Sequence, residues 1–385
     1  MRILFIQQDH CMYGSSRSLL ALIEQLIIKG HSCFVLLPRN GPLVAELEAR
    51  RVPYELVPWR GWVAIEQFSR ARQLLSGLKG ITLNLKHMHS AARICRRFRP
   101  DVIHTNSAKT AFGSMLALML RVPHTWHFRE FLGGNFSCGL VLSFGSRISK
   151  AWLRRTSSTV VFISDTLRQH FVSQLNGLDS EVVYNGVMSG YNIQESRVFP
   201  PLEPLTLALV GRLDPLKQPL VALKAIEQLR DQGVNVRLVI AGGGQQEDME
   251  AVADYIGSHR LGMCVKLLGE VKDTGTVYTE SHALVVCSKG EAFGRVTAEA
   301  MAYGRPVIGA NAGATPELIE HGSDGLLFRA GDPHDLADKI RYLFDHKDLI
   351  SYMGFNAAKK AKREFTTEKY AESIERIFFR CCAST

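Results

Sequence analysis

Short, uninterrupted apolar runs constrain the fold of this chain more than any other feature. Most are continuous stretches of Val, Ile and Leu, such as Leu205–Val210 and Ala283–Cys287, rather than alternating apolar and polar residues. Strands of this kind are buried on both faces, as in parallel sheets covered by helices. Helical patterns, such as Ser16–Lys29 and Leu216–Asp231, lie between the runs. The repeated alternation of strand and helix therefore predicts an α/β fold.

The strand candidates fall into two groups, separated by the aperiodic, proline-containing segment Met188–Pro204. Such a segment is typical of a linker. The group before it comprises Ile3–Gln7, Ser32–Leu37, Tyr54–Pro58, Val102–His104, His124–His127, Thr159–Ile163 and Glu181–Tyr184. The group after it comprises Leu205–Val210, Arg237–Ala241, Val265–Leu268, Ala283–Cys287, Pro306–Ala310 and Leu326–Phe328.

Each group is large enough for one Rossmann-like, doubly wound sheet. We therefore predict a domain over residues 1–190, a linker over 191–204 and a second domain over 205–365. A final helix over 366–385 is expected to pack back on the first domain. Two such domains facing each other would leave a cleft at the carboxyl ends of their strands, which is where ligands bind in this architecture.

Composition narrows the class of protein. The chain has 385 residues, of which 46% are hydrophobic and 22% charged, values that exclude a disordered chain. No apolar run reaches the ~18 residues of a membrane-spanning helix, and Met1–Ile6 is predicted to be a strand, not a signal peptide. The eight cysteines show no Cys-x-x-Cys spacing, which predicts free thiols in a reducing cytoplasm.

Positive charge is concentrated in the first half. Residues 1–195 carry 23 Lys and Arg against 12 Asp and Glu, whereas residues 196–385 carry 23 against 25. The excess is densest over 60–99, and the segment 140–155 is a candidate basic amphipathic helix. An anionic partner, such as a membrane surface, is one interpretation; a solvated helix face is the other. No nucleic-acid recognition motif occurs, so we expect no nucleic-acid partner.

The richest candidate site follows the predicted strand Ala283–Cys287. Glu291 lies in the loop, Gly294 permits close backbone approach, and Glu299 follows near the start of the next helix. Free N–H groups at a helix start bind phosphate, and ionised carboxylates accept hydrogen bonds from hydroxyl groups. This combination suits a nucleotide sugar. The alternative is an ordinary helix-start acid with a surface acid before it.

The loop after Leu205–Val210 supplies cations. Arg212 and Lys217 lie five residues apart where a strand leads into a helix. They are suited to binding two phosphate groups and to stabilising the negative charge that develops on a departing diphosphate. Taken alone, they would be interpreted as surface cations.

Three weaker candidates also lie at strand ends. Gly14 belongs to a small-residue loop before the first helix, where Ser15 or Ser16 could equally be a plain helix cap. His127 ends a strand of the first domain, either projecting into the cleft or serving the core. Gly243 allows a tight turn beside a ligand, or simply connects strand to helix.

Together these motifs resemble the retaining GT-B glycosyltransferases of the glycosyltransferase 4 type. The resemblance spans most of the chain and is strongest over 205–330. Two overlapping motifs carry most of the resemblance: Glu291-x7-Glu299 with Phe293-Gly294 inside it, and Glu299-Ala300-Met301-Ala302-x-Gly304-x-Pro306-Val307. The other matching motifs are Gly211-Arg212-Leu213 with Lys217, Asn311-Ala312-Gly313 with the residues that follow it to Leu327, and Tyr184-Asn185-Gly186-Val187.

The resemblance implies a role for each matching position. Arg212 and Lys217 would hold the donor diphosphate, Glu299 the ribose, and Glu291 the hydroxyls of the transferred sugar. His127 would lie near the reactive carbon. Donor contacts are also implied for Gly14, Gly243, Val271 near the base, Ala292, Phe293, Gly294, Arg295, Val296 and Thr297. The catalytic candidates are His127, Arg212, Lys217 and Glu291.

The chain also departs from the family pattern. Tyr13 replaces a common glycine, Gln218 follows Lys217 where glycine is frequent, Ala314 replaces a second glycine, and Met188 stands where an acid is usual. None of these changes removes a charged contact. These four departures affect the expected geometry of the acceptor-binding side of the site.

The resemblance implies transfer of a hexose-type sugar from a UDP- or GDP-sugar with retention, the leaving phosphate taking the acceptor proton. No Asp-x-Asp motif occurs, so we expect no metal and no cofactor besides the donor. The acceptor would be a hydroxyl of a glycan or lipid-linked molecule. We expect a cytoplasmic protein that is peripheral on the inner membrane face if the acceptor is lipid-linked.

Three other functions compete with this one. A dinucleotide-dependent dehydrogenase requires Gly-x-Gly-x-x-Gly after its first strand, where this chain offers only Gly14 followed by serines. A non-catalytic nucleotide-sugar-binding relative would retain the fold without turnover. A phosphorylase or sugar-phosphate synthase would use the same fold for related chemistry.

Overall fold

The architecture was taken from a computed structural model that describes residues 1–383 except 135, 137, 138, 176, 196–198 and 200–202. Cys138 and two prolines of the predicted linker, Pro200 and Pro201, lie outside the described residues. The chain divides into two compact units. The first unit comprises Met1–Gly186 and the chain from Thr367 onward, and the second comprises Val187–Thr366.

The first unit is built on a seven-stranded parallel sheet of order β3-β2-β1-β5-β6-β8-β9. Chain order reverses direction between β1 and β5, which makes their carboxyl ends a topological switch point. The strands are β1 (Arg2–Ile6), β2 (Ser32–Leu37), β3 (Tyr54–Leu56), β5 (Val102–Thr105), β6 (His124–Phe128), β8 (Thr159–Phe162) and β9 (Ser180–Val182), and β4 (Val63–Ile65) pairs with β7 (Leu140–Leu142) in a separate antiparallel pair.

Helices cover both faces of this sheet. In β1, Ile3 and Phe5 join one apolar cluster while Leu4 and Ile6 join another, so the strand is buried on both sides, as its continuous apolar sequence predicts. The helices before the second unit are α1 (Gly14–Ile28), α2 (Pro42–Ala49), α3 (Arg70–Phe98), α4 (Phe112–Leu120), α5 (Gly145–Thr156) and α6 (Asp165–Leu175).

The expectation of one basic helix over 140–155 is wrong in its first part. Leu140–Leu142 is strand β7, and the helix begins only at Gly145. A three-residue apolar run is too short for periodicity to distinguish strand from helix, so its pairing with β4 decides its structure.

The second unit holds a six-stranded parallel sheet of order β12-β11-β10-β13-β14-β15, with its switch point between β10 and β13. The strands are β10 (Leu205–Val210), β11 (Val236–Ala241), β12 (Val265–Gly269), β13 (Ala283–Val286), β14 (Val307–Ala310) and β15 (Gly325–Phe328). The helices are α7 (Pro219–Asp231), α8 (Gln246–Ser258), α9 (Thr274–Thr279), α10 (Arg295–Ala302), α11 (Thr315–Leu318), α12 (Pro333–Asp345) and α13 (Asp348–Glu364). The prediction of two parallel α/β sheets is confirmed.

The last helix, α14 (Thr367–Ala383), belongs to the first unit. Its apolar face packs into the cluster formed by Ile3, Phe5 and helix α1. Glu375 adds an ion pair with Lys29 at 2.8 Å and a contact with His31 at 2.6 Å. A segment far away in sequence therefore completes the core of the first unit.

No helix in the described part of the chain combines the length and apolar character needed to cross a bilayer.

Candidate functional site

Two loops of the second unit meet at its switch point. The loop after β10 carries Arg212 and Lys217, and the loop after the neighbouring strand β13 carries Glu291. A backbone hydrogen bond from Lys289 N to Leu216 O, 2.8 Å long, joins the loops directly. Parallel strands end at one edge of the sheet, so residues 74 positions apart become neighbours here.

Lys217 and Glu291 form the central ion pair of this site. The Lys217 ammonium donates to Oε1 of Glu291, and the Ser288 hydroxyl donates to the same oxygen at 2.7 Å. Burial alone would raise the pKa of Glu291, but the Lys217 charge and these hydrogen bonds outweigh it and hold that pKa below its ordinary value. Glu291 is therefore ionised, and it can accept hydrogen bonds from hydroxyl groups.

Arg212 stands apart from this pair. Its Nε donates to Asp214 Oδ2 at 2.7 Å, and its side chain is more than half exposed. Asp214 Oδ1 also accepts from the backbone N–H groups of Leu216 and Lys217, each at 3.0 Å. Asp214, which the sequence analysis did not single out, thus orders the loop that bears both cations.

Helix α10 begins at the same place. Gly294 precedes it with φ of +91°, a conformation that favours glycine, and no side chain caps the helix start. A Cβ at Gly294 would lie 3.7 Å from Cγ of Glu291. Thr297 in the first turn is fully buried, and its hydroxyl has no hydrogen-bond partner among the described residues. The N–H groups of a first turn that no side chain caps, together with a spare hydroxyl, make this a suitable anion-binding end.

Glu299 lies further along α10 than the sequence suggested. The helix begins at Arg295, which places Glu299 in its second turn. Glu299 pairs with Arg295 at 2.8 Å and accepts from the Tyr278 hydroxyl at 3.0 Å. Burial and the adjacent carboxylate raise the pKa of Tyr278 well above its ordinary value, so Tyr278 remains a donor. Glu299 and Glu291 therefore have separate partners.

The remaining predicted donor contacts surround these residues. Ala292 and Val296 are half-buried, and Phe293 is buried with its ring 5.8 Å from that of Phe365 in an edge-on arrangement. Val271 is half-buried just beyond β12. Gly243 O accepts from Leu213 N at 2.8 Å, which ties the loop after β11 to the loop with the cations.

Gly313 packs against the backbone of the loop that carries Glu291. The two residues form an isolated parallel bridge, and Ala314 N donates to Glu291 O at 2.8 Å. Gly313 has φ of +57°, and a Cβ there would lie 2.6 Å from Glu291 N. In the sequence, this glycine was recognisable only as part of the Asn311-Ala312-Gly313 motif. Its packing gives the motif a physical reason.

We expect Gly313→Ala to displace the Glu291 loop. The left-handed backbone costs about 1 kcal/mol for a non-glycine residue, and the overlap with backbone atoms costs about 1–3 kcal/mol more. Binding of a nucleotide sugar should weaken tenfold or more, measured by titration calorimetry. The matched control is Gly262→Ala, where a Cβ meets nothing within 4 Å. Equal affinities in the two variants would contradict this prediction.

His127 belongs to a buried polar network in the first unit. Its Nδ1 lies 3.3 Å from Nη2 of Arg129 and 3.3 Å from Nε2 of His104. Arg129 also donates to Asn106 Oδ1 at 2.5 Å, Asn185 Oδ1 at 2.6 Å and the Tyr370 hydroxyl at 2.5 Å. The guanidinium thus joins strand ends β5 and β6 to helix α14.

This network fixes the hydrogen positions on His127. A guanidinium only donates, so Nδ1 of His127 must accept, and the ring hydrogen is on Nε2. Burial, and next to it the Arg129 charge, lower the pKa of His127 well below its ordinary value, so the ring is neutral. Nε2 is buried and has no partner among the described residues. His127 is therefore a neutral donor with one N–H to spare.

In the first unit, neither Ser15 nor Ser16 caps helix α1 after the loop that follows β1. Gly14 is exposed and begins α1, behind Tyr13 as the cap residue. Ser15 donates to Asp9 Oδ2 at 3.0 Å and Ser16 to Cys11 O at 2.7 Å. The interpretation of either serine as a plain cap is therefore wrong. Both serines tie the loop to the residues that follow β1.

Several polar residues of these two sites were not predicted from the sequence. Arg129 and Glu130 lie two and three residues beyond His127, and Asn185 belongs to the Tyr184-Asn185-Gly186-Val187 motif, but none of them was given a role. Burial raises the pKa of Glu130, which accepts from the Ser107 hydroxyl. The available signal was charged and amide residues directly at strand ends, where buried polar groups need partners. The overlooked set is Asn106, Arg129, Glu130, Asn185, Asp214, Tyr278, Ser288 and Tyr370.

Among the residues that the structure describes, no group of three or more His, Cys, Asp or Glu is arranged to hold a metal ion.

The fold is shared with solved glycosyltransferases. Anabaena Alr3699/HepE, crystallised with UDP, superposes with a TM-score of 0.80 over 99% of this chain and 100% of its own, at 22% identity. A glycosyltransferase from Rickettsia africae superposes with a TM-score of 0.81 over 100% of both chains, at 19% identity. Both units are Rossmann-like, and the likeness to these structures shows that the chain has the GT-B fold.

Sequence comparisons specify the family. Residues 12–189 match the family described as Glycosyltransferase Family 4, and residues 192–360 match Glycosyl transferases group 1. The two matches together cover nearly the whole chain. The chain belongs to the glycosyltransferase 4 type of GT-B glycosyltransferases, as the motifs predicted.

Curated relatives match over different lengths. The D-inositol 3-phosphate glycosyltransferase of Corynebacterium jeikeium is 31% identical over 188 residues, which are 46% of this chain and 44% of that protein. The phosphatidyl-myo-inositol mannosyltransferase of Mycobacterium leprae is 27% identical over 384 residues, 95% of this chain and 92% of that protein. The chain thus aligns with less than half of the first relative and nearly all of the second.

Proposed function

We propose that this protein transfers a hexose-type sugar from a nucleotide diphosphate donor to a hydroxyl acceptor, with retention at the anomeric carbon. The observation that carries the proposal is the meeting of the Lys217–Glu291 pair with the uncapped start of α10. A cation, a helix start without a side-chain cap and an ionised carboxylate then lie together, which suits a diphosphate bearing a sugar.

In this proposal the cations act on the leaving group. The bond between the anomeric carbon and the diphosphate oxygen breaks, and a bond to the acceptor oxygen forms on the same face. The acceptor proton passes to the departing phosphate, so no separate protein base is needed. Lys217, Arg212 and the first N–H groups of α10 would stabilise the charge that develops on that phosphate without a metal ion.

The carboxylates would hold hydroxyl groups. Glu291 is ionised and would accept from the transferred sugar, while Glu299 would accept from the ribose, with Tyr278 and Arg295 fixing its orientation. His127 would offer its Nε2 hydrogen to a sugar oxygen, since Arg129 keeps Nδ1 an acceptor. These assignments use the hydrogen-bonding capacity that each group has left over.

UDP-sugars are the first donors to test, because a protein of the same fold has been solved with UDP-glucose. The acceptor class that we propose is a glycan or lipid-linked hydroxyl. The name of the M. leprae relative, which is similar over nearly all of this chain, is that of an enzyme acting on a lipid. A sucrose-phosphate synthase also shares the fold, so a sugar-phosphate acceptor is the second candidate.

The test is a thermal-unfolding screen of UDP-, GDP- and ADP-sugars. A donor present at ~100 times its Kd stabilises the native state by about 2.7 kcal/mol and should raise Tm by about 5–10 °C. Uridine, which lacks the diphosphate, should give little shift. The best donor is then incubated with lipid and soluble acceptors, and the anomeric configuration of the product is read by NMR.

The outcomes separate the competing functions. A shift by one nucleotide sugar without any turnover would favour the non-catalytic relative. Release of a sugar phosphate from a glycan and inorganic phosphate would favour the phosphorylase. No shift with any nucleotide sugar would contradict the proposed function itself.

A further inference from the structure

Helix α3 is held to the first unit by one face only. Its buried residues recur every three or four positions, which places them on a single line. Asn84, on that line, donates to Arg60 O at 3.1 Å and accepts from Arg60 N at 2.9 Å. A Cβ at Gly77 would collide with the ring of Phe144. The buried line comprises Gln73, Gly77, Gly80, Asn84, Met88, Ala91 and Cys95, and Ala92 beside it is buried as well.

Beside the buried line runs an exposed apolar stripe. Leu74, Leu78, Ile81 and Leu85 follow one another at spacings of four, three and four residues, and Leu75 lies next to them. Their exposed fractions range from 36% to 57%. Single exposed leucines are ordinary, but a contiguous row over three helical turns indicates a surface that contacts something apolar.

A row of cations runs beside the stripe and continues past it along the helix. Arg72, Lys79, Lys86 and Arg93 are exposed and lie seven residues apart, which is one position per two turns. In the described chain none of these four forms an ion pair. The 29 residues of α3 contain no Asp or Glu. The row therefore has a single, uncompensated sign.

We propose that α3 lies flat on an anionic lipid bilayer, with the stripe inserted at the headgroup boundary and the cations at the phosphates. An apolar row flanked by Lys and Arg is the arrangement by which helices rest in a membrane interface. A helix of 29 residues is about 43 Å long, and the charge keeps one sign throughout. A bilayer offers a continuous anionic surface of that length, so it matches the helix better than a protein partner with mixed charges.

The position of the stripe relates this surface to the first unit's site. Helix α3 leads into the start of β5, so its first half lies toward the carboxyl edge of the parallel sheet. The stripe occupies that half, while Arg93, Arg96 and Arg97 lie in the other. His127 and Arg129 are also at the carboxyl edge. Only this last step, that a bound membrane would present a lipid-linked acceptor to that edge, rests on the proposed function.

The experiment is co-sedimentation of the full chain with vesicles. Vesicles of phosphatidylcholine with 30% phosphatidylglycerol should bind the protein, and phosphatidylcholine alone should bind it at least tenfold more weakly, because each cation near an anionic surface contributes about fivefold. Raising the salt concentration should weaken the binding, because ions screen the surface charge. No nucleotide sugar is present, so the result does not depend on the proposed function.

Matched variants test the two components separately. Leu78→Ser with Leu85→Ser, and Lys79→Gln with Lys86→Gln, should each lower the partition coefficient about tenfold or more. The controls are Tyr352→Ser with Phe355→Ser, and Lys224→Gln with Lys266→Gln, which change exposed residues of the second unit. All the substituted side chains are exposed, and unchanged Tm values would show that the variants fold.

Three results would overturn the proposal. The first is equal binding to neutral and anionic vesicles, and the second is wild-type binding by both α3 variants. The third is a concentration-dependent dimer, measured by light scattering, that the leucine variant abolishes in a protein that binds no vesicles. That last result would assign the stripe to a second copy of the chain.

Discussion

Replacing Lys217 with alanine is expected to lower kcat for sugar transfer by about 100- to 1,000-fold. Loss of one preorganised contact to a developing oxyanion costs about 3–4 kcal/mol. Lys217 is also the main partner of Glu291, so its loss leaves a carboxylate in a half-buried site without its counter-charge. Steady-state kinetics with the donor identified by the thermal screen measure the effect.

The ion pair adds a second readout to this prediction. Without Lys217, burial is opposed only by the Ser288 hydrogen bond, so the pKa of Glu291 should rise. Its ionised fraction at a given pH then falls, so the acid limb of the kcat profile should move to higher pH. The control is Lys224→Ala, an exposed lysine on α7. Equal kcat values for Lys217→Ala and Lys224→Ala would remove Lys217 from the reaction.

Acidification between pH 7.5 and 5 is expected to destabilise the protein strongly, because three histidines are buried as neutral rings. Burial lowers the pKa of His124 to about 3, and burial with the Arg129 charge lowers the pKa values of His104 and His127 well below ordinary values. The unfolded chain binds protons at these rings below pH ~6.5, whereas the folded chain does not. Stability is therefore full above pH ~6.5 and falls as the pH decreases.

The magnitude follows from linkage. Each such histidine removes about 1.4 kcal/mol of unfolding free energy per pH unit below its unfolded pKa. Glu130 acts in the opposite direction, since burial raises its pKa and the folded chain therefore binds that proton at a higher pH than the unfolded chain does. The net loss should be about 3–4 kcal/mol per unit near pH 5.5, measured from urea midpoints at each pH. His104→Asn should reduce the slope, and His89→Gln, on the exposed side of α3, should leave it unchanged. A stability that stays flat down to pH 5 would contradict the prediction.

The fold class was predictable because the local sequence of a strand reflects how deeply the strand is buried. Continuous apolar runs such as Leu205–Val210 become interior parallel strands, and they were located to within a residue or two. The pair β4–β7 was not found. Val63–Ile65 and Leu140–Leu142 are three residues each and only partly buried, so only their pairing over 75 or more positions makes them strands.

The sequence was sufficient to predict which residues belong to the candidate sites. It was not sufficient to predict which of these residues pair with each other. Lys217 and Glu291 were identified from their places at strand ends. Their mutual pairing depends on β10 lying beside β13, which strand order decides and local sequence does not. Arg129 illustrates the same limit, since its partner Tyr370 lies 241 positions away on α14. Buried polar groups choose partners through tertiary packing.

The path of the chain through its two units also determines the order in which their parts are synthesised on the ribosome. Residues 1–186 emerge before the second unit, yet the helix that completes their core, with Tyr370 and Phe378, is translated only after that unit. The second unit is contiguous, so it is able to finish folding while the earlier unit still exposes an apolar groove. Nascent chains stalled before residue 367 should therefore recruit chaperones through their amino-terminal part, and release of the finished chain should end that dependence.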